Sequence, residues 1–175
     1  MIEILILYII FKREKTIYSI RKEIIEKFGN FTTPSLGTIH PALKRLRMKE
    51  AVSVSDRMSD GGKKSSYYSI TEEGKKLFKE LFMQDCSHNP CLFYGQVQAR
   101  FATIGLLSKE DKNEFLDNSI KAIDLYTFKN ENKLNDEFSG FDFYQTELTK
   151  KTIAEAQSLK DFALKLKEHD DRKDS

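Results

Sequence analysis

The stretch FTTPSLGTIHPALKRLRMKEAVSV, Phe31 to Val54, decides how the chain is read. Its second half is an amphipathic helix running into a strand, with Leu36, Ile39, Leu43 and Leu46 spaced 3, 4 and 3. Its first half holds Pro34, Gly37 and Pro41, which stability alone does not explain. Pro34 is acceptable near the first helical position, where its missing N–H costs nothing. Pro41 inside a helix presses its ring on the carbonyl four residues earlier, at about 3 kcal/mol. That carbonyl belongs to Gly37, the residue freest to yield, so the pair is expected to bend or loosen the opening turns. The gain is an uncrowded tip. Thr32, Thr33, Ser35, Thr38 and His40 are small or polar, and Lys44, Arg45 and Arg47 then turn the helix basic.

Upstream, Met1 to Phe11 is apolar nearly all round, which suits an enclosed helix, and Lys12 to Lys15 reads as a polar turn. Thr16 is placed to cap a second helix that buries Ile17, Ile20, Ile24 and Phe28, and Gly29-Asn30 stops it. Downstream, VSVSDR alternates, SYYSI returns as a strand, and Asp60-Gly61-Gly62 supplies the positive-φ residues of a tight hairpin. Thr71 suits the cap of a fourth helix to about Phe82, with Leu77, Phe78 and Leu81 buried. Three helices, a hairpin and a helix make a winged helix-turn-helix, the hairpin being the wing.

CSHNPC, Cys86 to Cys91, marks the expected boundary. Beyond it LFYGQVQARFATIGLL forms one helix, and Ser108 caps another with Phe115, Leu116, Ile120, Ile123 and Tyr126 on one stripe. KNENKLNDEFSG reads as a polar break. A last helix from near Phe141 to about Lys167 offers a heptad-like seam of Phe141, Tyr144, Leu148, Leu159, Phe162 and Leu166. The expectation is a mainly α chain with a small β-hairpin wing. A winged helix-turn-helix domain spans 1–84, a linker 85–91, and a helical dimerisation domain, with room for effector binding, 92–175.

Charge is unevenly spread. Residues 1–84 carry 16 Lys/Arg against 10 Asp/Glu and the remainder 13 against 17, within a formal net charge of +2. A basic first part joined to an acidic second part points to a polyanion as partner of the first. Two cysteines make no disulfide framework and no signal peptide is read, so a reducing cytoplasm is expected. The apolar run Ile4 to Phe11 is far below the roughly 20 residues a membrane span needs, so no membrane partner is expected.

Catalytic signatures are absent: no nucleophile elbow, no phosphate-cradling glycine loop, no HExxH pair. Cys86, His88 and Cys91 look like ligands, but structural zinc takes four and no fourth is near. Neither a metal nor any other cofactor is expected, and the protein is not read as an enzyme. The C-terminal aromatics, among them Phe93, Tyr94, Phe101, Tyr126, Phe128, Phe138 and Phe143, suit helix packing and a dimer core better than a definable pocket.

In a helix-turn-helix the tip of the recognition helix enters the DNA major groove. Its N-terminus offers unpaired N–H groups and the positive dipole end to phosphate. Thr33, Ser35, Thr38 and His40 are the candidates for that tip; Ser35, Thr38 and His40 for base edges, and Lys44, Arg47, Lys63 and Lys64 for phosphates. PSLGTIHPALKRL, with IYSI upstream and GGKKSSYYSITEEGKKLF downstream, resembles the PadR family of transcriptional regulators. The family pattern of proline-x-x-glycine-threonine leading to tyrosine-proline-x-leucine falls here on Pro34, Gly37, Thr38, His40, Pro41 and Leu43, with His40 in the tyrosine's place. The usual histidine-glycine-tyrosine upstream is Thr16, Ile17 and Tyr18, so only the tyrosine is kept, a candidate phosphate contact or a surface-to-core bridge. The resemblance is specific over about 1–84 and looser beyond. It implies a homodimer joined through the C-terminal helices, double-stranded DNA with a palindromic operator as partner, repression, and response to a small aromatic or drug-like effector. The alternative is a winged-helix adaptor that binds protein and no DNA.

Overall fold

The computed structural model describes residues 1–58, 62, 64–84 and 90–172, the side chains of 90–92 and 170–172 excepted. The chain divides into two compact units, Met1–Leu107 and Ser108–Ser175.

The first unit is built around α1 (Ile2–Ile10), which has no polar side: Ile4, Leu5, Ile6, Leu7, Ile9 and Ile10 are all buried. Around it stand α2 (Ile17–Phe28), α3 (Leu36–Met48), α4 (Glu72–Met83) and α5 (Pro90–Thr103), each in contact with α1. The Thr16 hydroxyl caps α2 by accepting from the Ser19 N–H at 3.3 Å. Ile20, Ile24 and Phe28 are buried, while Ile17 is only half-buried. In α4, capped by Thr71 through the Gly74 N–H at 3.0 Å, Phe78 and Phe82 are buried with rings 5.0 Å apart. Leu77 and Leu81, expected inside, are half-buried beside them.

The sheet has three strands, not two. β2 (Val52–Met58) and β3 (Lys64–Ile70) form the wing, and a short β1 (Lys15–Thr16) pairs antiparallel with β3, giving the order β1-β3-β2. Lys15 is therefore not part of a polar turn. It is 8% exposed because Glu23 of α2 holds its ammonium in an ion pair. Burial alone raises the Glu23 carboxyl. The hydrogen bond from Lys15 and the charges of Lys15, Lys27 and Arg13 outweigh it and hold the group below its ordinary value. At the hairpin tip Gly62 has φ 74, a conformation that favours glycine; Asp60 and Gly61 lie outside the described residues.

α3 ends in a Schellman turn, with Ala51 N–H donating to Leu46 C=O and Glu50 N–H to Arg47 C=O, both at 2.9 Å, and Glu50 at φ 57. The same point anchors the wing and α4. Thr71 donates its hydroxyl to Glu50 C=O at 2.7 Å and its N–H to Ala51 C=O at 3.2 Å. A Cβ on Gly74 would stand 2.1 Å from Ala51 O, so only glycine lets α4 pass this close.

The second unit is the antiparallel pair α6 (Lys109–Asn135) and α7 (Phe143–Arg172), its register held by Lys160–Asp124 and Lys167–Asp117, both 2.6 Å. Ser108 caps α6 through the Asp111 N–H at 3.2 Å. α6 continues through KNENKLN, where a break was expected. Lys and Glu there are good helix formers, and no glycine intervenes before Gly140, whose φ is 65. Asp142 and Gln145 cap each other's N–H at the start of α7, at 2.8 and 3.1 Å.

The face of α7 against α6 keeps Leu159 and Leu166 of the expected seam but not its other members. Ala156 and Ala163 are fully buried, with Thr149, Thr152, Leu159 and Leu166 half-buried at matching spacing. Small residues let the two helices approach closely. Tyr144, Leu148 and Phe162 stand 80%, 63% and 45% exposed.

Candidate nucleic-acid interface

α3 carries no acidic residue between Leu36 and Met48. Ile39, Ala42, Leu43 and Leu46 turn inward, and this fixes what faces out. Gly37, Pro41, Lys44 and Met48, spaced 4, 3 and 4, form an exposed row. His40 and Arg47 flank it on one side, Thr38 and Arg45 on the other, all exposed. The helix is continuous through Pro41. Pro41 has no N–H for the Gly37 carbonyl, and that carbonyl lies on the solvent side, where water can serve it.

At the tip the Ser35 hydroxyl accepts from the Thr38 N–H at 3.2 Å and shares a further 3.2 Å contact with the Thr38 hydroxyl. Ser35 is thus the N-cap as well as an exposed candidate. Thr33 is exposed beside it, and Tyr18 stands out from α2 with 68% of its surface free. Gly37 has an ordinary φ, and a Cβ there would meet only Ser35 Oγ, at 3.4 Å.

Arg21, which the sequence reading passed over, belongs to this surface. It lies three residues after Tyr18 on the exposed side of α2 and donates its Nε to the Pro34 carbonyl at 3.2 Å, tying α2 to the turn before α3. It has no carboxylate partner among the described residues. The i, i+3 spacing from Tyr18 was the available signal.

The cations divide into two groups. Lys44 and Arg47 are exposed and free of ion pairs among the described residues. Arg45 is held by Glu3 at 2.7 Å, and Arg57 by both oxygens of Glu14, one at 2.9 Å, with its guanidinium 5.2 Å from the Tyr67 ring centre. Lys64 is paired with Asp56 at 2.9 Å. Lys63 lies outside the described residues, as do Cys86 and His88 and the side chain of Cys91. Among the described residues no cluster of three or more His, Cys, Asp or Glu is placed to hold a metal, and no helix is long and apolar enough to cross a membrane.

Residues 6–80 match the model of the transcriptional regulator PadR-like family. Among solved structures, a PadR family transcription regulator from Clostridium difficile is 32% identical over 45% of this chain and 80% of its own, with a TM-score of 0.41. A PadR-like transcriptional regulator from Bacillus cereus is 31% identical over 45% of this chain and 74% of its own, TM-score 0.39. Bacillus subtilis PadR, solved with operator DNA, is 16% identical over 95% of this chain and 97% of its own, TM-score 0.44. Nothing among curated proteins matches. Residues 6–80 hold the wing and the exposed face of α3, and with that match and identities above 30% to two PadR-family proteins, each covered over more than two thirds of its length, the chain belongs to the PadR-like family of transcriptional regulators.

Proposed function

We propose that the protein is a homodimeric, sequence-specific DNA-binding repressor, acting in the cytoplasm and not as an enzyme. The observation that carries this is the outward face of α3: a helix tip without bulky side chains, followed by Lys44 and Arg47, which are exposed and make no ion pair among the described residues. Thr33, Ser35, Thr38 and His40 read or orient against base edges; Lys44, Arg47, Lys63 and Lys64 meet phosphates, with Tyr18 and Arg21 on the neighbouring strand. Residues 1–84 form the DNA-binding part and 92–175 the dimerisation part.

The partner for the second unit is another copy of this chain. Leu125 and Phe128 on α6, at 54% and 58% exposure, join Tyr144, Leu148 and Phe162 as large apolar side chains left in water. Scattered single residues are ordinary, but this many on one helix pair supports the reading of an association surface. Two heads joined there suit a palindromic operator with half-sites about 34–36 Å apart. A small aromatic or drug-like effector fits the same place. The cavity lined by Met1, Ile4, Leu81, Gln84, Gln96 and Arg100 has a volume of only about 100 Å³, against roughly 300–1,000 Å³ for small-molecule sites.

Selection from a random duplex pool tests the reading. It returns one palindromic sequence, bound with an affinity that falls as salt rises, and Lys44→Ala with Arg47→Ala lowers the salt slope by about two. Tyr144→Glu with Leu148→Glu leaves monomers in sedimentation. A chain that binds no duplex at about 50 mM salt refutes the proposal.

A further inference from the structure

Asp56 is the carboxylate that stands beside both α3 and the described part of the wing's basic side. Asp56 lies on the face of β2 that also carries Val52 and Val54, opposite Ser66 on β3 and diagonally across from Lys64. Ser66 donates its hydroxyl to Asp56 Oδ1 at 2.6 Å, and the Lys64 ammonium sits 2.9 Å from Oδ2. Arg47, from the last turn of α3, is close enough to act on the same carboxylate through its charge. The hydrogen bond from Ser66, then that from Lys64, hold the Asp56 carboxyl below its ordinary value against burial, helped by the charges of Lys64 and Arg47. Both oxygens are thus occupied and the group is ionised.

A carboxylate that takes a hydroxyl on one oxygen and an ammonium on the other presents what a DNA phosphate presents to the same side chains. Arg57, the neighbouring wing cation, points to the other face of the strand and is held by Glu14, so it does not compete for Asp56. We propose that Asp56 is an internal substitute for a backbone phosphate, which keeps Lys64 engaged on non-cognate duplex and yields it only where α3 fits the grooves. Asp56 is then a specificity-determining residue. It lowers affinity for every duplex, but less for the one whose contacts through α3 bring a phosphate against Lys64. This rests on the DNA-binding role proposed above.

The test compares wild type, Asp56→Asn, Lys64→Ala and the double variant on a mixed-sequence duplex across a potassium chloride series. Freeing Lys64 adds one phosphate contact. At a slope of about 0.9 per contact, Asp56→Asn binds about eightfold tighter at ~0.1 M salt, with a slope steeper by about 0.9. Adding Lys64→Ala abolishes that gain. Asp56→Ser, which removes the charge with a different shape, behaves like Asp56→Asn, and thermal melting shows that both are folded. Unchanged or weaker binding by the two Asp56 variants overturns the proposal. So does a gain that survives Lys64→Ala, which means plain repulsion from the carboxylate rather than a held lysine. A wild type that binds no duplex at any salt overturns the DNA reading, and the role of Asp56 with it.

Discussion

Gly37→Ala separates stability from DNA binding at a single position. Gly37 is exposed, in the first turn of α3, with an ordinary φ and 3.4 Å of room to Ser35 Oγ for an added methyl. In the free protein nothing requires glycine there. Glycine costs about 0.8–1 kcal/mol relative to alanine in a helix interior, and the first turn realises about half of that. The variant therefore melts higher, by about 2–4 °C for a domain near 100 residues. On the duplex the sign reverses. The methyl lies on the outward row with Pro41 and Lys44, where the backbone has to approach the groove. Overpacking at such a contact costs about 1–3 kcal/mol, a loss of about fivefold to a hundredfold in affinity. Differential scanning calorimetry and fluorescence anisotropy on the selected duplex read the two effects separately. Higher melting with undiminished affinity refutes the placement of this tip in the groove. Lower melting refutes the packing argument itself.

Two further substitutions probe the scaffold. Gly74→Ala drives a methyl into Ala51 O and Ile70 Cγ1, at 2.1 and 2.7 Å, so it lowers stability by about 1–3 kcal/mol or more in denaturant titration; an unchanged midpoint contradicts the close passage of α4. Glu23→Gln leaves the Lys15 ammonium buried without its counter-charge and weakens the protein at neutral pH. Because the folded Glu23 carboxyl lies below its ordinary 4.5, its contribution is present above that value and is lost as pH falls through the folded one. The stability curves of wild type and variant accordingly converge in acid, and curves that stay parallel down to the acid transition exclude the linkage.

The winged helix was legible because its signals are local. Thr16, Thr71 and Ser108 cap the helices their positions suggested, and the inward stripes of α2 and α3 follow the 3.6-residue period. What was not legible depends on partners distant in sequence or on the absence of bulk. Lys15 looks like one more polar turn residue until Glu23 is brought to it across the first turns of α2. On α7 the large side chains suggested a seam, of which Leu159 and Leu166 are part, yet its most buried members are Ala156 and Ala163, because closeness between helices is set by what is missing. At the interface, the sequence displayed the exposed polar tip and the basic turns after it. It did not display that Ser35 is committed to a cap, that Arg21 braces Pro34, or that Lys64 already has a partner. Each of these is a side-chain geometry that no spacing encodes.

The junction of Glu50, Ala51, Thr71 and Gly74 has a mechanical consequence. The end of α3, the root of both wing strands and the start of α4 are fastened to one another over four residues, with two hydrogen bonds and no space for a methyl. Such a rivet leaves little slack between the helix and its wing. A force applied to this end of α3 passes to the wing and to α4 together, because the mounting leaves no room for α3 to turn by itself.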